Sequence, residues 1–390
     1  MENKNKSKSS KINLSQLVLL GLGSLIGSGW LFGAWEASSI AGPAAIISWI
    51  IGFIVIGTIA YNYIEIGTMF PQSGGMSNYA QYTHGSLLGF IAAWANWVSL
   101  VTIIPIEAVS AVQYMSSWPW EWAKPMGALM KDGSISTIGL FAVYVIIAIF
   151  SLLNYWSVKL LTSFTSLISV FKLGVPLLTI IMLMISGFDT NNYGHSASAF
   201  MPYGSAPIFA ATTTSGIIFS FNAFQTIINM GSEIKNPEKN IARGIAISLT
   251  LSAILYIVLQ STFITSMPSS MIHEHGWNGI NFNSPFADMA ILLGINWLAI
   301  LLYVEAVVSP FGTGVSFVAV TGRVLRAMEK NGHIPKFLGK MNEQYNIPRV
   351  AIVFNAIISM IMVTLFRDWG TLAAVISTCL LYTSPSPRDK

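Results

Sequence analysis

Apolar runs of membrane-crossing length recur from one end of this chain to the other, at roughly 15–40, 43–69, 87–113, 136–156, 160–186, 207–231, 243–266, 288–320, 349–366 and 369 onward. A helix needs about 20 mainly apolar residues to cross a hydrocarbon core, and lipid offers no water to a backbone that is neither helical nor part of a closed barrel. The pattern predicts an all-α polytopic membrane protein of about ten spans. Composition agrees, with 53% of residues hydrophobic and 9% charged, and excludes a soluble domain. The first run lacks the short apolar region and small-residue cleavage site of a removed signal, so it is expected to stay as a transmembrane helix.

Charge sets the expected orientation. Lys4, Lys6, Lys8, Lys11, Lys159, Lys235, Lys239, Arg243, Arg323, Arg326, Lys330, Lys336, Lys340 and Arg349 fall on one side, against Lys124, Lys131 and Arg367 on the other. Basic residues accumulate in cytoplasmic segments, so the N-terminus is expected inside, in a multi-pass cell-membrane protein. This distribution accounts for the net charge of +4 and calls for no nucleic acid. Residues 1–14 read as a cytoplasmic basic tail and 15–378 as one membrane domain. Residues 379–390 resemble a translated sequencing adapter, which would leave the tenth span cut short near Thr378 and make Cys379, the sole cysteine, foreign. No disulfide framework or thiolate metal site is expected.

Within the first run lies Gly21-Leu-Gly-Ser-Leu-Ile-Gly-Ser-Gly-Trp-Leu-Phe-Gly33. Five glycines at the centre of a spanning helix invite it to open where protein or a cavity shelters the freed groups. The sixth run repeats the theme in Thr214-Ser-Gly-Ile-Ile-Phe-Ser-Phe-Asn-Ala-Phe-Gln225. Interrupted first and sixth helices are what two inverted five-helix repeats would produce, with a small-solute site near the midplane between them. Taken singly, each glycine also fits close helix packing, as in Gly23-xxx-Gly27 and Gly29-xxx-Gly33.

Four motifs carry a family resemblance. Ile26-Gly-Ser-Gly-Trp-Leu-Phe-Gly33, Glu65-Ile-Gly-Thr-Met-Phe-Pro-Gln-Ser-Gly-Gly75, Glu233-Ile-Lys-Asn-Pro-Glu-Lys-Asn-Ile-Ala-Arg243 and Ser309-Pro-Phe-Gly-Thr-Gly314 with Arg323 resemble those of the amino acid–polyamine–organocation permeases. Spread over eight spans, they cover nearly the whole chain. The resemblance implies a sodium-symporter-like fold, secondary active transport without a cofactor, and an amino acid or related amine as substrate. By the family pattern the amides of Ser28 and Gly29 would take the substrate carboxylate. The Ile26 carbonyl and the carbonyls around Phe219 and Ser220 would take its ammonium, with Phe219, Phe221 or Trp30 over the side chain. An opened helix suits a zwitterion because it offers N–H groups at one half-helix end and C=O groups at the other.

Ionisable residues inside the spans raise the question of coupling, since each costs at least ~2.5–3.5 kcal/mol at the bilayer centre. Lys172 lies about twelve residues into the fifth run, ~18 Å along a helix and too deep to snorkel. The resemblance implies that such a lysine replaces the sodium ion of sodium-coupled relatives and carries a proton instead; the alternative is a static pair with Glu305 or a carbonyl. Glu305, beside Ser309-Pro310, is expected to receive the proton or meet the substrate amine, and Glu107 on the third run to line the pocket. Glu36 is expected at an outer vestibule and Glu65 in a structural pair. The Trp118-Pro-Trp-Glu-Trp122 stretch reads as an interfacial anchor, and His273-Glu-His275 lacks the further ligands of a metal site. No HExxH, GxSxG or repeated pore loop appears, which disfavours an intramembrane enzyme or a channel. An exchanger or a transporter-like nutrient sensor would keep the same pocket, so proton-coupled symport stands beside these alternatives.

Overall fold

The computed structural model describes residues 11–72, 74–156, 158–342 and 347–382. Most of the basic tail (1–10) and the polar end of the adapter-like segment (383–390) lie outside these residues, as do the side chains of 158–167, including Lys159. Among the described residues the regular structure is helical apart from one small hairpin and two isolated β-bridges. In order the helices are α1 Leu14–Leu25, α2 Gly29–Ala41, α3 Ala45–Met69, α4 Met76–Val101, α5 Ile103–Ser116, α6 Thr137–Trp156, α7 Val158–Gly187, α8 Ala197–Phe200, α9 Ala206–Thr214, α10 Ile217–Phe221, α11 Phe224–Asn229, α12 Pro237–Ser266, α13 Ser269–Gly279, α14 Pro285–Leu292, α15 Asn296–Lys330, α16 Arg349–Leu365 and α17 Trp369–Tyr382.

Stretches at Gly29–Met69, His84–Ser116, Thr137–Tyr155, Pro237–Ser266 and Asn296–Lys330 are long and apolar enough to cross a membrane, and shorter apolar helices accompany them. The molecule is an all-α polytopic membrane protein. Its helices overrun the apolar runs: α12 begins at Pro237 and α15 continues to Lys330, past Arg323 and Arg326. Hydropathy marks the lipid-facing length, whereas a helix continues into water as long as its backbone bonds persist. The large apolar side chains left exposed, such as Ile54, Phe141, Ile185 and Ile254, lie on these helices where lipid would cover them.

The first run opens at Ile26–Ser28, between α1 and α2. The sixth opens twice, at Ser215–Gly216 and at Asn222–Ala223, and falls into three pieces, α9, α10 and α11. At Gly216 the backbone adopts φ +80°, a left-handed conformation that glycine takes without a Cβ penalty. Helix α15 packs on α5, and α12 packs on both α3 and α1, so the broken segments are enclosed by continuous helices.

Two backbone pairings pin the ends. Ile12 and Ile234 form a parallel bridge, with Ile12 N–H donating to Glu233 O at 2.9 Å and Lys235 N–H to Ile12 O at 2.9 Å. On the opposite face the β1 (Met130–Lys131) and β2 (Ser134–Ile135) strands pair antiparallel, and Ile135 N–H donates to Arg367 O at 2.9 Å just before α17. Trp118, Trp120 and Trp122 cluster beside this hairpin, with the last two rings stacked 5.8 Å apart.

Candidate functional site

Opening a helix inside a bilayer frees carbonyls at one end and amides at the other, and each must find a partner. The α1–α2 break meets this demand with side chains from four other helices. Lys172 Nζ on α7 donates to Gly23 O at 2.7 Å, Tyr256 Oη on α12 to Leu25 O at 2.7 Å, and Ser309 Oγ on α15 to Ile26 O at 3.4 Å. On the amide side, Ser28 N–H donates to both carboxylate oxygens of Glu107 on α5, at 3.1 and 3.0 Å. Ser28 Oγ accepts the indole N–H of Trp369 on α17 at 2.9 Å.

Lys172, Glu107 and Glu305 are all buried. Lys172 Nζ also meets Thr313 Oγ1 at 2.5 Å, and Thr313 shares with Glu107, Ser24, Gly27 and Phe219 a void of ≈ 10 Å³, room for about one water. Neither carboxylate oxygen of Glu305 has a hydrogen-bond partner among the described residues. Below this void a vestibule of ≈ 1180 Å³ runs from Ser24 and Lys172 to a mouth lined by Gln16, Gln72, Glu233, Arg323 and Lys330. Arg323 Nε lies 3.7 Å from Glu233 Oε1, so residues of two sequence motifs pair at this mouth.

The remaining residues singled out in the sequence divide by where they face. Phe219 lines the small void and packs edge-on against Trp369 with centroids 5.8 Å apart. Its carbonyl already accepts Asn222 N–H at 3.0 Å. Ser220 Oγ donates back to Gly216 O at 2.9 Å and lies so close to Gly29 that a β-carbon there would strike it. Phe221 turns the other way and packs on Trp49, Phe53 and Tyr256. Trp30 packs on Phe286 of α14, 5.6 Å away, on the side of the break opposite the vestibule. Glu36 lies half-buried one turn beyond Phe32, and Glu65 is exposed on α3. His275 meets only Glu274, at 3.8 Å, and no cluster of three metal-ligating side chains occurs among the described residues.

Ser28 also shows what the sequence left out. A glycine-rich break announced free amides but not that a carboxylate of this chain sits on one of them. Tyr256 and Trp369 lie more than 200 positions from their partners, and an apolar run gives no sign of such contacts.

The family model for amino acid permeases matches residues 12–383. The glutamate/serine transporter AimA of Bacillus subtilis (strain 168) is 52% identical over 365 residues, covering 94% of this chain and 67% of that protein. The aspartate-proton symporter of the same organism is 35% identical over 95% of this chain and 70% of that protein. Its branched-chain amino acid permease BcaP is 26% identical over 92% and 75%.

Proposed function

Because the chain belongs to the amino acid permease family, and so is a multi-pass membrane transporter of amino acids and not an enzyme, we propose that it is a proton-coupled symporter of small acidic or hydroxylated amino acids in the cell membrane. The two relatives named for glutamate, serine and aspartate support the substrate class. In this reading residues 15–378 form one transport domain of ten spans, arranged as two inverted five-helix repeats with the N-terminus in the cytoplasm. The vestibule is then its inner mouth.

The observation that carries the coupling is the place of Lys172. Its amine bridges Gly23 O at the opened end of α1 and Thr313 on α15, and it lines the vestibule of ≈ 1180 Å³. A cation there ties the broken helix to its neighbour, and losing the proton loosens that tie. Glu107 and Glu305 are the buried carboxylates within electrostatic reach of the amine, and so the acceptors for its proton.

The substrate carboxylate is assigned to the amides of Ser28 and Gly29. The ammonium goes to the Ile26 carbonyl and the backbone near Ser220, and the side chain lies under Phe219 and toward Trp30. Glu107 then sits on the amide that the substrate carboxylate takes, and yields it on loading. Reconstituted protein tests the function directly. Labelled glutamate, serine and aspartate should accumulate in proteoliposomes under an inwardly directed proton gradient, and a protonophore should collapse the accumulation. Counterflow without gradient-driven accumulation would overturn symport in favour of exchange.

A substitution at Gly29 tests the break itself. Gly29→Val pushes a branched side chain into Ser220, where α2 and α10 touch. Overpacking of this kind costs ~1–3 kcal/mol, so substrate affinity should fall about 5- to 150-fold in protein that still elutes as a folded monodisperse species. Unchanged affinity would remove Gly29 from the site.

A further inference from the structure

Trp369 is the first residue of α17 and is 2% exposed. Its ring touches both broken segments at once. On the α2 side its indole N–H donates to Ser28 Oγ at 2.9 Å, and its ring lies 5.1 Å from that of Phe32, tilted by 30°. On the α10 side it meets Phe219 edge-on and presses on Gly216, where a β-carbon would collide with the six-membered ring. A buried indole N–H needs an acceptor, and this one takes the hydroxyl of the residue whose main-chain N–H holds Glu107. Ser28 is thus gripped from two sides, by α5 through its amide and by α17 through its hydroxyl.

The ring also stands at a boundary. Toward the vestibule is the void lined by Phe219, Ala223 and Glu107. Away from it, beyond Phe32, Glu36 and Asp368 are both half-buried, and a β-carbon on Gly370 would lie 3.7 Å from Glu36 Oε1 and 3.5 Å from Asp368 Oδ1. Both carboxylates keep part of their surface accessible, and Trp369 lies between this part-exposed rim and the void at the break.

We propose that Trp369 is the gate on the side of the site opposite the vestibule, latched by its hydrogen bond to Ser28 and released when α2 and α10 part. This rests on the reading of the Ser28 break as the substrate site. The latch couples closure to occupancy: whatever binds the Ser28 amide sets the orientation of the hydroxyl that holds the indole.

Accessibility of a single cysteine tests this. In a Cys379→Ser background, Ala223→Cys places a thiol in the wall of the void. A membrane-impermeant maleimide is added to sealed proteoliposomes from either side. With Trp369 intact, labelling should be slow from the side opposite the vestibule. Trp369→Ala should speed it on that side, and Trp369→Phe, which keeps a ring but has no N–H, should speed it about tenfold, the population shift expected from one lost buried hydrogen bond. Unchanged labelling in Trp369→Phe would overturn the proposal even if Trp369→Ala does not fold. Protection of the thiol by glutamate or serine from the vestibule side reads the substrate site separately. Faster labelling in the variants without such protection would keep the gate and discard the site.

Discussion

Lys172→Arg is expected to abolish accumulation driven by a pH gradient, leaving uptake no higher than with the gradient collapsed. A guanidinium keeps its proton at any working pH and so cannot release it as the cavity alternates. Arginine can still donate to Gly23 O and Thr313, the partners of the Lys172 amine, so a purely structural role predicts near-normal transport. Lys172→Ala should lose accumulation as well while retaining counterflow, because the proposed site holds the substrate through the backbone at Ser28 and not through the amine. Uptake under an imposed gradient, measured for wild type and both variants, decides the matter. Accumulation surviving in either variant would end the coupling role.

Glu107→Gln should make substrate affinity nearly independent of pH. The Glu107 carboxylate takes the Ser28 N–H with both oxygens. A substrate carboxylate arriving at that amide would bring a second anion into a buried site, where like charges repel strongly. Proton uptake by Glu107 removes the repulsion, so wild-type affinity should tighten as pH falls, by at most about tenfold per pH unit for one linked proton. Glutamine keeps a similar shape with no charge to lose, and its curve should be flat. Apparent affinity between pH 5.5 and pH 8 gives the answer for both proteins. An unchanged slope in Glu107→Gln would assign the pH dependence to another group.

Much of the architecture was legible because a bilayer imposes length and polarity rules that a sequence must obey openly. The helix break at Ile26–Ser28 follows from glycines whose only strong alternative was close packing, and the structure shows both effects, since Gly29 is also a contact with Ser220. The second opening at Asn222–Ala223 was less visible. Asn222 bonds to Ser99 Oγ at 3.0 Å and Gln225 to Asn222 Oδ1 at 2.5 Å, so polar residues that suggested a site also serve to join α4 to the broken helix. Phe221 shows the limit plainly. Two residues from Phe219 and chemically identical, it points about 200° away around a helix and packs on α3 and α12. Glu107 and Lys172 stood out as charges in apolar runs, but their partners depend on how helices cross, which periodicity does not encode.

The way the α1–α2 break is capped bears on how tightly such a carrier can hold its cargo. A carboxylate of the protein already rests on the Ser28 amide, and an ammonium of the protein already rests on the Gly23 carbonyl. The chain thus carries an internal imitation of a zwitterion. An amino acid that takes up the Ser28 amide trades one carboxylate for another, so loading there is an exchange of near-equivalent bonds and not the filling of a vacancy. Its net free energy is the difference between two similar sets of contacts. A carrier built this way escapes the deep well that would trap its passenger.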